Sequence, residues 1–225
     1  MYKACIFDLD GTLTDTLESL TFSVNETLKE MGFGTISHEQ CKAFVGNGAR
    51  KLLEKSLQAV GADVDGRIDE AMQIYARIFK TGCTYKVAPY AGIVEMLQVL
   101  NEMGIQMAVL SNKPDVQTKD VVATFFADGI FSYVQGQRED VPRKPDPAAV
   151  YYIMNELQVK KEECLYIGDS EVDMKTGFAA GVDTIGVTWG FRDKEVLVAE
   201  HATYIADKAE EIISIVKGAN EHVRL

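Results

Sequence analysis

Short, continuously apolar runs alternate along the chain with longer stretches whose apolar residues recur every three or four positions. The runs lie at about 3–8, 105–110, 131–135, 163–167 and 183–187, and the amphipathic stretches at about 90–103, 115–126, 147–157 and 171–180. Met107-Ala108-Val109-Leu110 is apolar at every position, as a strand covered by helices on both faces must be. This alternation predicts an α/β fold, a doubly wound parallel sheet. Ligands of such sheets bind beyond the carboxyl ends of the strands, at a topological switch point.

The stretch 15–82 breaks the alternation. It holds no comparable strand run, but Leu17, Leu20, Val24, Leu28 and Met31 follow helical spacing up to Gly32, and residues 68–79 repeat the pattern. Two parts are expected: a core built from 1–14 and 83–225, and an inserted helical cap over 15–82. The methionine and aromatic stripes of the cap read as its packing.

Composition narrows the function classes. The chain has 225 residues, enough to bury a real core, and its four cysteines form no CxxC pair, which suits reduced, packed thiols. No apolar stretch is long enough to span a bilayer, and the N-terminus runs straight into Asp8 without a secretory leader, so a cytoplasmic protein is expected. A formal charge of −11 without a dense Lys/Arg block argues against a nucleic-acid partner. An anionic ligand must then be attracted locally, against the overall field. His38, His201 and His222 have no evident partners and read as surface or linker residues.

Candidate chemistry gathers where the apolar runs end. After Ala4-Cys5-Ile6-Phe7 come Asp8 and Asp10, two carboxylates one residue apart. Buried and ionised, they need a cation, a basic partner or a shared proton; exposed, they simply shape a turn. Ala108-Val109-Leu110 ends in Ser111-Asn112-Lys113, whose hydroxyl and amide suit either a phosphate oxygen or a helix cap. In Arg143-Lys144-Pro145-Asp146-Pro147, Pro145 restrains Lys144, and Asp146-Pro147 reads as an N-cap followed by the first helical residue. Cys164-Leu165-Tyr166-Ile167-Gly168 delivers Asp169, and a helix beginning near Ser170 brings Asp173 beside it. Each segment alone has a plain structural role, yet all of them end at one edge of one sheet. In the cap, Gly46 and Gly48 free the backbone around Asn47, and Arg50 and Lys51 bring cations near a helix start; a glycine turn before a solvated helix fits equally well.

In this order, Asp8-Leu9-Asp10-Gly11-Thr12, Leu110-Ser111-Asn112, Lys144-Pro145-Asp146-Pro147 and Gly168-Asp169-Ser170-Glu171-Val172-Asp173 resemble the four motifs of the haloacid dehalogenase superfamily, most of all its phosphoglycolate phosphatase branch. The resemblance implies a Mg²⁺-dependent phosphatase acting on a small phosphorylated metabolite. Asp8 would be the nucleophile that forms an aspartyl-phosphate, and Asp10 the acid and then the base. Ser111, the backbone amide of Asn112 and Lys144 would hold phosphoryl oxygens. Asp8, Asp169 and the Asp10 carbonyl would ligate Mg²⁺, with Asp173 a ligand or an acceptor that orients a bound water or Lys144. Gly46, Asn47 and Arg50 fall where related enzymes carry a substrate-specificity loop. Dehalogenases lack the second aspartate, which favours phosphate over halide. Leu20 stands where β-phosphoglucomutases carry a cap histidine, which disfavours a mutase. Pyrophosphatase, sugar phosphatase and a non-catalytic phospholigand-binding module are the other readings.

Overall fold

A computed structural model describes residues 1–221 of the chain; His222 lies outside them. Six strands, β1 (Ala4–Phe7), β4 (Gln106–Pro114), β5 (Tyr133–Gln137), β6 (Cys164–Gly168), β7 (Asp183–Val187) and β8 (Tyr204–Ala206), form one sheet in the order β5-β4-β1-β6-β7-β8. Every pairing in it is parallel. The chain steps outward from β1 through β4 to β5, then returns to the other side of β1 and steps outward again through β6. The switch point therefore lies at the carboxyl end of β1, where Phe7 is level with Val109 on one side and Ile167 on the other.

Alternation along the strands feeds two apolar layers. Cys5 and Phe7 point to one face with Met107, Val109, Leu165 and Ile167, against α5 (Ile93–Glu102) and α10 (Ala209–Glu221). Ala4 and Ile6 point to the other with Ala108, Leu110, Cys164 and Tyr166, against α7 (Ala148–Glu156) and α8 (Glu171–Ala180). Both faces are dry, so the strands carry no polar alternation. The remaining helices beside the sheet are α6 (Asp115–Phe125) and α9 (Lys194–Ala199).

Residues 17–82 fold as α1 (Leu17–Glu30), α2 (His38–Phe44), α3 (Gly48–Ala59) and α4 (Val64–Gly82). A two-stranded ribbon, β2 (Thr14–Asp15) against β3 (Ala88–Pro89), pairs the chain leaving the sheet with the chain returning to it. Small side chains let α1 and α4 approach closely: Ser19 and Ser23 are buried, and the Ser19 hydroxyl donates to the Gly82 carbonyl at 2.8 Å. Leu28 and Leu53 are fully buried, so truncating either to alanine costs about 2–5 kcal/mol.

Three details depart from the pattern reading. Strand β4 runs on to Pro114 because its pairing with β5 resumes after a register shift between Leu110 and Pro114, which carries Ser111–Lys113 inside the strand. Strand β8 is only three residues long, too short to stand out by periodicity. Helix α7 begins at Ala148, one residue later than expected; Asp146 still does capping work, its Oδ1 accepting the Ala148 N–H at 2.9 Å. All four cysteines are buried and free. His38 lies 3.1 Å from Glu18 and His201 packs near Phe178. No helix among the described residues is long and apolar enough to cross a membrane.

Candidate active site

Asp8 follows β1 directly, its N–H donating to the Ile167 carbonyl at 2.8 Å, so the ladder itself sets its place beside β6. Asp169 leaves the end of β6, and Asp173 comes from the first turn of α8. Carboxylate oxygens of Asp8, Asp169 and Asp173 all lie within 4.8 Å of one another, and all three residues are buried. Lys144 enters between two of them, Nζ 2.9 Å from Asp8 Oδ1 and 2.7 Å from Asp173 Oδ1.

The partners of each carboxylate separate their roles. Asp173 is saturated: Oδ2 accepts the Ser170 N–H at 3.1 Å and the Ser170 hydroxyl at 2.6 Å, while Oδ1 takes Lys144 and the Tyr166 hydroxyl, the latter at 3.4 Å. Asp169 accepts the Thr12 hydroxyl at 3.1 Å and the Phe191 N–H at 2.7 Å, one on each oxygen. Among the described residues the Asp8 side chain forms an ion pair with Lys144, and its buried Oδ1 makes no aligned hydrogen bond. Burial pushes the Asp8 carboxyl up to about 7; the Lys144 charge opposes this, while Asp173 and Asp10 add to it. Burial and the Asp173 and Asp8 charges likewise hold Asp169 well above the usual carboxylate range. Burial alone would lower Lys144, but the Asp173 and Asp8 charges outweigh it and raise it.

An under-coordinated buried carboxylate beside two others, all oxygen donors, fits a hard divalent cation. Asp8 and Asp169 keep capacity toward such an ion, whereas Asp173 is committed to Lys144 and Ser170.

Above the strand ends lies a cavity of about 610 Å³ including its open mouth, lined from the sheet side by Asp8, Asp10, Ser111, Asn112, Lys144 and Asp169. Its far wall is mostly apolar, with Leu20, Leu52, Tyr75 and Phe79 from α1, α3 and α4; the Tyr75 and Phe79 rings stack 4.9 Å apart. Gly46 also lines it. Asn47 and Arg50 do not: Arg50 points across the surface to Asp69 at 3.0 Å and Glu54 at 3.4 Å, and Asn47 offers its carbonyl to Arg143 at 3.2 Å. The third residue of α3 faces α4 rather than the cavity, so sequence proximity to Gly46 did not carry Arg50 inward. The two loop glycines adopt positive φ, +119° at Gly46 and +82° at Gly48. A Cβ on Gly46 would meet Arg192 Nη2 at 3.6 Å, and one on Gly48 would meet Arg143 Nη1 at 2.9 Å. Only at Gly48 does the missing Cβ permit a close approach, and it is to the protein's own Arg143; at Gly46 the positive φ is what calls for glycine.

Residues 5–187 match the family of haloacid dehalogenase-like hydrolases. The chain belongs to that family. It is 30% identical to phosphoglycolate phosphatase of Colwellia psychrerythraea over 220 residues, covering 96% of this chain and 97% of that one. A similar match, 30% over 215 residues, reaches phosphoglycolate phosphatase of Pseudomonas savastanoi pv. phaseolicola, covering 94% and 78%. The crystal structure of a predicted phosphoglycolate phosphatase from Haemophilus somnus 129pt superposes with a TM-score of 0.88 at 25% identity, covering 96% of this chain and 98% of that one. The chain is accordingly an enzyme, a phosphoric monoester hydrolase of the haloacid dehalogenase-like family.

Two features of this hydrolase's site escape a reading by motif. Lys113, nearly fully buried, pairs with Asp10 Oδ1 at 2.9 Å and lies over the Phe79 ring, 4.7 Å from its centroid. Strand β4 continuing past Leu110 is what carries Lys113 to the site, and the apolar run, which ends at Leu110, gives no sign of it. Asn112 grips Lys144 at two points: Oδ1 accepts the Lys144 N–H at 3.0 Å and Nδ2 donates to the Lys144 carbonyl at 3.1 Å. That clamp, between segments 32 residues apart, aims the lysine, and no local pattern announces it. Phe191, from the Trp189-Gly190-Phe191 loop after β7, lines the cavity, and Trp189 Nε1 donates to the Thr12 carbonyl at 3.0 Å.

Proposed function

We propose that this hydrolase cleaves a small phosphate monoester through an aspartyl-phosphate on Asp8, with Mg²⁺ as its cation, and that phosphoglycolate is the leading substrate. The single observation that carries the mechanism is the crowding of Asp8 against Asp169, Asp173 and Lys144 at the floor of the cavity, with Asp10 also lining it. The substrate reading leans on relatives near 30% identity that bear the name phosphoglycolate phosphatase.

Chemistry here begins with charge. When the ester enters, Asp10 carries the proton it will donate, so three ionised aspartates, Asp8, Asp169 and Asp173, face Lys144 and Lys113. With one divalent ion bound, the phosphate dianion would meet a site of net positive charge, against the overall field of the chain. Asp8 and Asp169 would hold the cation, with the Asp10 carbonyl, and when bound it would offset the charge of the phosphoryl oxygens and of the attacking carboxylate.

Asp8 attacks phosphorus, the bond to the leaving oxygen breaks, and Asp10 gives its proton to that oxygen. Asp10 then takes a proton from a water whose oxygen bonds to phosphorus as the Asp8–phosphorus bond breaks. The balance is one ester and one water to one alcohol and one phosphate. Ser111, the backbone amide of Asn112 and Lys144 hold the equatorial oxygens, and Lys113 holds the Asp10 side chain toward the cavity.

In this reading residues 15–82 act as a cap and 1–14 with 83–225 as the core. The cap's apolar wall excludes water and suits a short leaving group. The test is a panel of phosphorylated metabolites with and without Mg²⁺. Fast, Mg²⁺-dependent release of phosphate from phosphoglycolate supports the proposal; release from other esters only would replace the substrate, and release from none would refute the function.

A further inference from the structure

The Arg192 guanidinium joins the helical segment to the sheet side at the rim of the cavity. Arg192, just beyond β7, donates from Nη1 to the Lys42 carbonyl at 2.9 Å and from Nη2 to the Val45 carbonyl at 2.8 Å. Both carbonyls belong to the last turn of α2 and its C-cap, where main-chain acceptors lack helical partners and carry partial negative charge. Glu171 holds the other edge of the same group, Oε2 accepting from Nε at 2.8 Å. The Arg192 side chain is only 15% exposed.

The position of this bridge gives it meaning. Glu171 opens α8 between Asp169 and Asp173, and Phe191, next to Arg192, donates its N–H to Asp169. Two further groups from the sheet side take neighbouring carbonyls: Asn112 Nδ2 reaches Gly46 at 3.0 Å and Arg143 Nη1 reaches Asn47 at 3.2 Å. Segment 42–47 is thus gripped by its backbone, independently of its side chains. Among the three, Arg192 alone makes two charge-assisted contacts to the segment while an acid from the site's own helix pairs with it.

We propose that Arg192 is a positioning residue, a latch that seats segment 42–48 over the cavity and ties that seating to the carboxylates at the start of α8. The proposal rests on the core-and-cap reading above. Because coupling is reciprocal, whatever favours the seated segment also favours the ordered acid cluster, and the reverse. A planar fork is required, since a lysine ammonium cannot span two carbonyls and a carboxylate in one plane.

Hydrogen exchange on the full-length protein tests the latch without any turnover. Arg192→Gln should speed exchange in peptides covering 38–48 roughly tenfold or more, with peptides from β1 and β6 unchanged. Arg192→Lys should restore part of the protection, and Glu171→Gln should show a smaller change in the same peptides. In kinetics, Arg192→Gln should raise KM for a short alkyl phosphate more than for a bulky aryl phosphate that keeps the segment from seating fully. Unchanged exchange in 38–48, or an equal rise throughout the chain, would overturn the latch. If Arg192→Gln fails to fold, Arg192→Lys and Glu171→Gln still decide it. A wild-type protein that releases no phosphate from any ester would refute the phosphatase reading while leaving the exchange result to stand or fall separately.

Discussion

The acid cluster at the strand ends and segment 42–50 above it face one cavity, but the fold holds them by different means. Asp8 and Asp169 follow directly on the parallel pairing of β1 with β6, and Ser111 follows Leu110, the last residue of β4 paired with β5 before the register shift, so the ladder sets where each side chain emerges. Segment 42–50 is placed by contacts from Asn112, Arg143 and Arg192 to its carbonyls, and its own side chains turn elsewhere, Arg50 toward Asp69. A rigid ladder delivers chemistry through side chains; a docked loop delivers shape through its backbone. Substitutions in the two regions should therefore differ in kind as well as in size.

The largest effects belong to the ladder. Asp8→Asn should lower turnover by roughly three orders of magnitude or more, because the carboxamide is a poor nucleophile and is left beside Lys144. Asp10→Asn should cost about 10²- to 10⁴-fold with an alkyl ester and less with an aryl ester, whose leaving group needs no proton. Steady-state phosphate release across leaving groups of graded acidity checks both. Removal of the divalent ion by a chelator should abolish activity to a similar extent, with recovery on adding Mg²⁺.

Next comes Lys113→Met, expected to reduce kcat about 10- to 100-fold with a smaller change in KM, since it removes the partner that orients Asp10 and leaves the phosphate grip intact. A KM-dominated defect would instead place Lys113 among the groups that bind substrate.

Stability sharpens the comparison through pH. Without a cation the fold holds Asp8 near 7, above its ordinary value of 3.8. A carboxyl raised in this way contributes stability below its unfolded value and loses it as pH climbs through the folded one. The cation-free protein should thus lose stability between about pH 4 and 7, and Mg²⁺, which favours the ionised cluster, should raise Tm more at pH 8 than at pH 5. Thermal melts with and without Mg²⁺ at the two pH values measure this directly; equal shifts would place the ion elsewhere.

The same contrast explains what the sequence disclosed. Apolar runs identified β1, β4, β6 and β7, and with them the sheet end that carries Asp8, Ser111 and Asp169, because a strand's register makes local sequence predictive of three-dimensional place. Strand β8 was hidden by its brevity. Lys113 was visible as a residue but not as a partner, since its pairing with Asp10 spans 103 positions. Gly46 and Gly48 were legible as a turn that frees the backbone, and both have positive φ, but the group that Gly48 admits closely, Arg143, lies far along the chain. Arg50 shows the same dependence on distant partners: a cation near a glycine turn, it pairs with Asp69 of the facing helix and does not line the cavity.

The smallest effect is expected there. Arg50→Gln removes two exposed ion pairs and should leave kcat/KM within about twofold of wild type, which the same phosphate-release assay checks. A loss of tenfold or more would return Arg50 to the substrate site and weaken the distinction drawn between the two regions.

The most direct test is to identify the residue that becomes phosphorylated. Acid quenching during turnover, reduction of the acyl phosphate with borohydride and peptide mass analysis should show homoserine at position 8. Homoserine at another position, or none while turnover proceeds, would contradict Asp8 as the nucleophile.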